Sequence, residues 1–465
     1  MILRIKPKWL QSYRFFGKIL YGNPIIILAQ RLKSVIFDRD LIEKIRAEFP
    51  RAVADLNRRK RAFFDNGTGT LVAGRAAKAE NKTRLNCSAN VGATFDESEM
   101  AKDVILDGRK AVADFLNAPS PDTIVSGESA TALLFNLSYA IGKELTGNEN
   151  VITTDYEHYA NISPWKELEE RQRIQNVRFT HLNKDEGTLN IEHLQGLIDT
   201  KTKIVTVTAA SNMLGTKSPL EEIGKMAKEV GAYFVVDAVH HVAHGPIDVK
   251  AINCDFLVFS GYKLFGPHGS FLYGKKDLLE TLKPYKVASA PEHAPYKWEE
   301  GTRDQSLFAA MRGVMDHFVW LAGQVRDHYE GSFAEFSERG RSLKVAMAAI
   351  EDYEVELAKA VIAGFDGVNG LGNIPNVKVY GLMDPNRLKE RDPTFSFKVQ
   401  NVSDEEVVSR LWREGNIATR AGNFYSRVPE IYNQKTMIRI SLVHYNTLEE
   451  VYIFLKTLNK ICRLR

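Results

Sequence analysis

The sequence predicts an α/β protein, with a mostly parallel sheet covered by helices and a smaller α+β unit after it. Two patterns point there. From about Asp65 to Tyr273, short β-branched or aromatic runs alternate with helical stretches, the signature of βαβ units. Beyond them a long helical stretch leads into shorter, mixed elements.

The strand candidates are Val151–Thr154, Val177–His181, Ile204–Ala209, Tyr233–Asp237, Phe256–Ser260 and Gly269–Tyr273, with helical segments such as Leu220–Val230 between them. One helical stretch is expected over Ser306–Ile350. Strands are expected near Val377–Tyr380, Thr394–Val399 and Met437–Leu442, and a closing helix from about Leu448. A chain of 465 residues exceeds one ordinary core. The expected division is 1–64 as a basic arm and helix, 65–325 as the large domain, and 326–465 as the small C-terminal domain.

Composition narrows the functional classes. A net charge of +4 with interspersed signs asks for no nucleic acid. The cysteines, Cys87, Cys254 and Cys462, have no metal-ligand spacing and make a poor disulfide framework, so a reducing, cytoplasmic setting is expected. Residues 1–34 carry seven Lys or Arg and no acid around two apolar patches, too short for a span of about 20 residues. They are read as an arm packing on the protein, with weak membrane contact as the alternative.

In α/β sheets ligands sit beyond the carboxyl ends of the strands, so the residues there carry the chemistry. Phe256–Ser260 runs out into Gly-Tyr262-Lys263. A lysine off a buried strand is costly unless neutralised, and condensation with an aldehyde to a Schiff base neutralises it. Alone, it also fits a snorkelling strand-end lysine. Tyr233–Asp237 ends in an acid that can pair with a protonated pyridine nitrogen, or alone cap a helix. Together Lys263 and Asp237 suggest pyridoxal 5′-phosphate (PLP).

The segments around Asp237 and Lys263, with several flanking motifs, resemble the aminotransferase class V fold, and within it the cysteine desulfurase-like PLP enzymes, from about Asp65 to the C-terminus. The resemblance implies PLP-dependent transferase fold type I with a seven-stranded sheet. It implies that Lys263 bonds the cofactor and shuttles a proton, that Asp237 meets the ring nitrogen, and that His158 in Glu157-His158-Tyr-Ala-Asn161 stacks on the ring. Ser129 and Ala130 in Ser126-Gly-Glu-Ser129-Ala130-Thr131 match the phosphate loop, as Ser260 and Tyr262 match further phosphate contacts. Asn212 and His240 fall near the ring oxygen. Thr302 in Glu299-Glu-Gly-Thr302 implies a contact with the phosphate of a partner subunit, hence a homodimer with shared sites. Arg439 in Arg439-Ile-Ser-Leu-Val-His-Tyr445-Asn446-Thr447 implies a clamp on a substrate carboxylate, with Gly67 of Asp65-Asn66-Gly67-Thr68 and Arg420 beside it. The substrate class is therefore an α-amino acid.

The family's sulfur-carrying segment, Arg-x-Gly-x-x-Cys, reads Arg420-Ala-Gly422-Asn-Phe424-Tyr425 here. A phenol cannot carry sulfur as a persulfide. The expected activity is a lyase or transferase breaking a C–S or other C–X bond of a substituted amino acid, with class V aminotransferase as the alternative. Two readings from other classes compete. One is a non-catalytic PLP-binding relative. The other is a metal hydrolase built on Asp237, His240, His241 and His244, which has no Glu-bearing zinc motif behind it; no metal is expected.

Overall fold

A computed structural model describes residues 36–463; the reading of residues 1–34 lies outside them. In chain order the helices used below are α1 (Arg39–Ala47), α2 (Gly74–Asn86), α3 (Asp96–Leu116), α4 (Ala130–Gly142), α5 (Gln305–Val325), α6 (Glu338–Ala363) and α7 (Leu448–Arg463). The large sheet holds β1 (Ile124–Gly127), β2 (Asn150–Thr154), β3 (Asn176–Thr180), β4 (Thr202–Thr208), β5 (Tyr233–Asp237), β6 (Phe256–Ser260) and β7 (Ser270–Gly274). Its order is β1-β7-β6-β5-β4-β2-β3, and only β7 runs against its neighbours. The mostly parallel seven-stranded sheet expected from the sequence is present. β1 escaped the strand reading, because its Ser-Gly end was taken as loop.

The strands are apolar because both faces are covered. On one face Val258 and Leu272 pack with Leu133, Leu134, Leu137 and Ile141 of α4. On the other, Phe259 lies 6.4 Å from Phe115 of α3 and 5.5 Å from Phe271, and Phe271 lies 5.8 Å from Phe308 of α5. Each such side chain contributes about 1.5–3 kcal/mol of burial.

The helix expected over 306–350 is two helices. α5 ends at Val325, a short turn spans Arg326–Tyr329, and α6 begins at Glu338 with Ser337 as its N-cap. Gly331-Ser332 interrupts the pattern, and the Ser337 hydroxyl accepts from the Gly340 amide at 3.1 Å, restarting it. The second sheet has strands β8 (Val377–Tyr380), β9 (Thr394–Val399), β10 (Arg420–Gly422) and β11 (Met437–Ser441) in the antiparallel order β8-β9-β11-β10. The segment before the large sheet joins this part of the chain. Ala62–Phe63 pairs in parallel with Ile417–Ala418, and Arg46 of α1 donates to the Tyr445 carbonyl at 2.7 Å and meets Glu450 of α7 at 2.8 Å.

One buried ion pair ties the sheet to the segment that carries Thr302. Arg109 of α3 grips Glu299 with two bonds, at 2.8 and 3.1 Å, and the amide and hydroxyl of Ser126 donate to Glu299 Oε1 at 2.9 and 2.8 Å. Glu299→Ala strands the guanidinium in the interior, so denaturant unfolding should show a loss of about 3–5 kcal/mol. A loss below about 1 kcal/mol would contradict this.

Candidate active site

The carboxyl ends of β1, β2, β4, β5 and β6 share one edge of the sheet. Register fixes them in a row: Gly127 opposes Ser270 and Ser270 opposes Ser260, while Thr208 opposes Asp237 and Asp237 opposes Val258. Ser129 and Ala130 follow β1, His158 follows β2, Asn212 follows β4, Asp237 and His240 stand at and after the end of β5, and Ser260, Tyr262 and Lys263 at and after the end of β6. Asp237 and Lys263 thus come from neighbouring strands.

Lys263 sits on a single 3-10 turn and donates to the Gly67 carbonyl. Its side chain keeps some surface in the cleft, yet burial, reinforced by the charge of Arg439, pulls its pKa down to about 7; Asp65 and Asp237 oppose that shift. An amine that is partly neutral near pH 7 is a usable nucleophile and base. Asp237 is buried, and burial pushes its pKa up to about 6 against the Val239 amide bond, 2.9 Å, and the charge of Lys263. His158 is held near 4 by burial and by the charges of Lys263 and Arg439. It is therefore neutral at pH 7. Its Nδ1 accepts from the Ala160 amide at 3.0 Å, which places the proton on Nε2.

Arg439 of β11 is almost fully buried, and burial lowers its pKa to about 10. It donates to the Asn212 carbonyl at 2.9 Å and to the Thr68 hydroxyl at 2.7 Å; Asp65 lies 3.8 Å away, and Nε has no partner. Gly67 packs closely on Arg439, since a Cβ there would stand 3.0 Å from the Arg439 Cζ. Arg420 is more than half exposed and is held by Asp65, with two nitrogens 2.9 Å from Oδ2. Gly67, Arg420 and Arg439 are thus brought together.

At the other end of the row, Ser129 caps α4, accepting from the Ala132 amide at 3.1 Å. The first turn of α4 carries no acid, and Glu128 beside it is exposed. Ser260 pairs with the Ser270 hydroxyl at 2.8 Å, and Tyr262 stacks on His268 at 4.8 Å. Thr302 is exposed and follows the buried Glu299 by three residues.

These groups suit PLP. A helix start with free amides matches a phosphate dianion. Asp237, buried with one backbone bond, matches a ring cation. The buried Asn212 Oδ1 has no partner, and Lys263 presents an amine rather than a salt bridge.

Some participants had no local sequence signal. Asn423–Ser426 forms a tight turn closed by the Ser426 amide on the Asn423 carbonyl at 3.1 Å, with Phe424 and Tyr425 both at φ +53°. Positive φ costs such side chains roughly 1–2 kcal/mol each, so neighbours hold the turn. Asn212 donates to the Phe424 carbonyl at 3.0 Å and the Tyr159 amide donates to the Tyr425 carbonyl at 2.7 Å. His240 is buried with Nε2 3.1 Å from the Thr394 hydroxyl. His240, His244 and Asp392 present ligand atoms within 4.8 Å of one another. Asp392 is already matched by His241, 3.1 Å, and Lys217, 3.9 Å, and His244 by Glu354, 2.7 Å. Arg391 is buried with no acid at hydrogen-bond distance; its guanidinium is caged by the carbonyls of Leu214, Leu382, Asp392 and Thr394. A Cβ on Gly215, at φ +74°, would fall 2.5 Å from the Asp392 carbonyl, so the two segments touch closely.

A strand-edge lysine, a strand-end acid and a helix start on one sheet edge define a PLP enzyme of fold type I. The aminotransferase class-V family matches residues 62–329 and 341–454, and the chain belongs to that family. It is 30% identical over 439 residues to a probable cysteine desulfurase of Synechocystis sp., covering 91% of this chain and 96% of that one. It is likewise 30% identical to a cysteine desulfurase of Enterobacter sp., covering 91% and 98%. Among solved structures, the cysteine desulfurase of Thermococcus onnurineus superposes with a TM-score of 0.76 at 26% identity, covering 90% and 98%. The cofactor of the chain is PLP.

The depressed pKa of Lys263 has a stability consequence in the cofactor-free protein. The folded state favours the neutral amine, so the cost is nil above the unfolded value of 10.5, grows as pH falls, and levels off below about 7. Lys263→Met should therefore stabilise the cofactor-free protein by a few kcal/mol at pH 6, with the gain shrinking toward pH 10 in urea titrations. A gain independent of pH would refute the assignment.

Proposed function

We propose that this chain acts on an α-amino acid without a persulfide-carrying cysteine, as a lyase or transferase that breaks a C–S or other C–X bond. One observation carries the reading: the sulfur-carrying position of the family is Tyr425. The remaining cysteines support it. All three are buried, and burial raises each thiol, Cys254 to about 12 and Cys462 to about 11. Cys254 precedes β6, at the end of the sheet opposite Lys263. None presents the reactive thiolate that sulfur transfer needs.

PLP, when bound, supplies the electron sink that labilises the bonds of Cα. The chain does the rest. Ser129, Ala130, Ser260 and Tyr262 hold the phosphate end, Asp237 holds the ring-nitrogen end, and Asn212 and His240 serve the ring oxygen. Neutral His158 presents a flat ring to the cofactor. Arg439 and Gly67 form the carboxylate subsite, where a two-pronged contact orients the amino acid, with Arg420 beside them held by Asp65. Lys263, with its amine free, takes and returns the Cα proton; a pKa near 7 suits both directions.

The working unit is a cytoplasmic homodimer in this reading, with exposed Thr302 reaching the partner's cofactor phosphate. An apolar groove along α4, lined by Phe135, Tyr139, Leu168 and Tyr285, supports an interface there. No helix among the described residues is long and apolar enough to cross a membrane. Residues 65–325 serve as the cofactor domain and 326–465 as the smaller one.

Mass spectrometry of products formed from cysteine, thioethers, sulfoxides and O-acylated amino acids should find an eliminated or replaced side chain. Alanine formed from cysteine at desulfurase rates, with the sulfur left as a persulfide, would refute the reading. Lys263→Ala should remove the visible absorbance of bound cofactor. Arg439→Ala should weaken substrate at least tenfold with little change in cofactor affinity; equal weakening of both would remove Arg439 from the carboxylate subsite.

A further inference from the structure

We propose that Phe424 and Tyr425 form a fixed aromatic wall of the substrate subsite, and that this wall selects amino acids with an uncharged apolar or thioether side chain over those with a second acid. The inference rests on the function proposed above and names its substrate class.

The first support is the environment of Arg439. The ring centroid of Phe424 lies 3.8 Å from the Arg439 Cζ. A Cβ on Gly67 would stand 3.0 Å from that same carbon, and 3.2 Å from both Nε and Nη2, so Gly67 also covers a face. One face cannot hold both groups, so the planar guanidinium lies in a slot between them. The edge left for a carboxylate carries the buried Nε, without a partner among the described residues, and the Thr68-bonded nitrogen, so Thr68 must give way as the carboxylate enters. A carboxylate on that edge brings the rest of the amino acid alongside Phe424.

The second support is the rigidity of the turn. Three main-chain contacts pin it: the Ser426 amide to Asn423, Asn212 to the Phe424 carbonyl, and the Tyr159 amide to the Tyr425 carbonyl. Ser426 also bridges to His158. The rings therefore stay in place as a surface rather than leaving with a swinging loop. Tyr425 is 71% exposed and its ring lies 5.7 Å from His158, tilted by 47°. An exposed aromatic surface beside an uncharged imidazole recognises apolar, aromatic and sulfur-bearing groups.

The third support is charge. A side-chain acid needs an unmatched cation. The two other guanidinium groups of this region are matched: Arg420 by Asp65 at 2.9 Å and Arg427 by Asp155 at 3.3 Å. A second carboxylate therefore finds no unmatched guanidinium in Arg420 or Arg427.

The test titrates the holoenzyme with L-methionine, S-benzyl-L-cysteine, L-aspartate and L-cysteine sulfinate, following the cofactor spectrum, with kcat and KM measured for any that turn over. The wild-type protein should bind the first pair at least tenfold more tightly than the second. Phe424→Ala should narrow that gap roughly tenfold through KM more than kcat, with cofactor affinity unchanged, and Phe424→Tyr should restore it. Tyr425→Ala should weaken S-benzyl-L-cysteine more than L-methionine. Equal affinity for both pairs, or a preference that Phe424→Ala leaves intact, overturns the wall and leaves the proposed function standing. No spectral response to any amino acid overturns both.

Discussion

The site is organised around an amine that the fold places where a charge is costly. Lys263 leaves a strand covered on both faces, and its bonding partner is the carbonyl of Gly67 rather than a carboxylate. Arg439, nearby, adds like charge. A salt bridge would have pinned the ammonium and silenced it; a neutral acceptor and a neighbouring cation keep it ready to give up its proton. Asp237 mirrors the arrangement with the opposite sign, since its burial makes the carboxylate costlier and raises its pKa to about 6. In the proposed arrangement PLP would relieve both tensions together, its aldehyde taking up the amine and its ring nitrogen supplying the positive charge.

Much of this was legible in the chain because it is local. Strands buried on both faces are continuous apolar runs, and the chemistry follows their ends, so Asp237 and Lys263 stand out in sequence. The family motifs placed Arg439, Asn212 and Ser129 by resemblance. What escaped was long-range or conformational. β1 is four residues long and ends in Ser-Gly, so no run announced it. The break between α5 and α6 hid inside a helical pattern, because only Gly331-Ser332 and the Ser337 cap mark it. The role of Phe424 depends on contacts with residues over two hundred positions away, at Asn212, together with a left-handed backbone that Phe and Tyr do not signal. Glu157 shows the same limit. It lies next to His158, yet burial raises its pKa to about 8 against the hydrogen bonds from Asn161, Thr154 and the Thr208 amide, and no pattern foretells that depth.

Family membership fixes the cofactor and the scaffold, whereas the reaction is decided by few atoms. Position 425 is the clearest instance. In the proposed reading, a thiol there would let the segment act as a carrier, whereas a phenol on a pinned turn makes it a boundary. Fold alone does not separate these outcomes. Side-chain chemistry at one exposed turn, and the hydrogen bonds that hold it, does.

The caging of Arg391 by main-chain oxygens has a mechanical corollary. Because one guanidinium grips Leu214, Leu382 and Thr394 at once, the loop bearing Asn212 and the edge of the second sheet are riveted together. A tilt of that sheet would carry Asn212 with it, and with Asn212 the carbonyl that steadies Arg439. Arg439 and Asn212, the proposed clamp and ring-oxygen contact, are thereby anchored at the same seam.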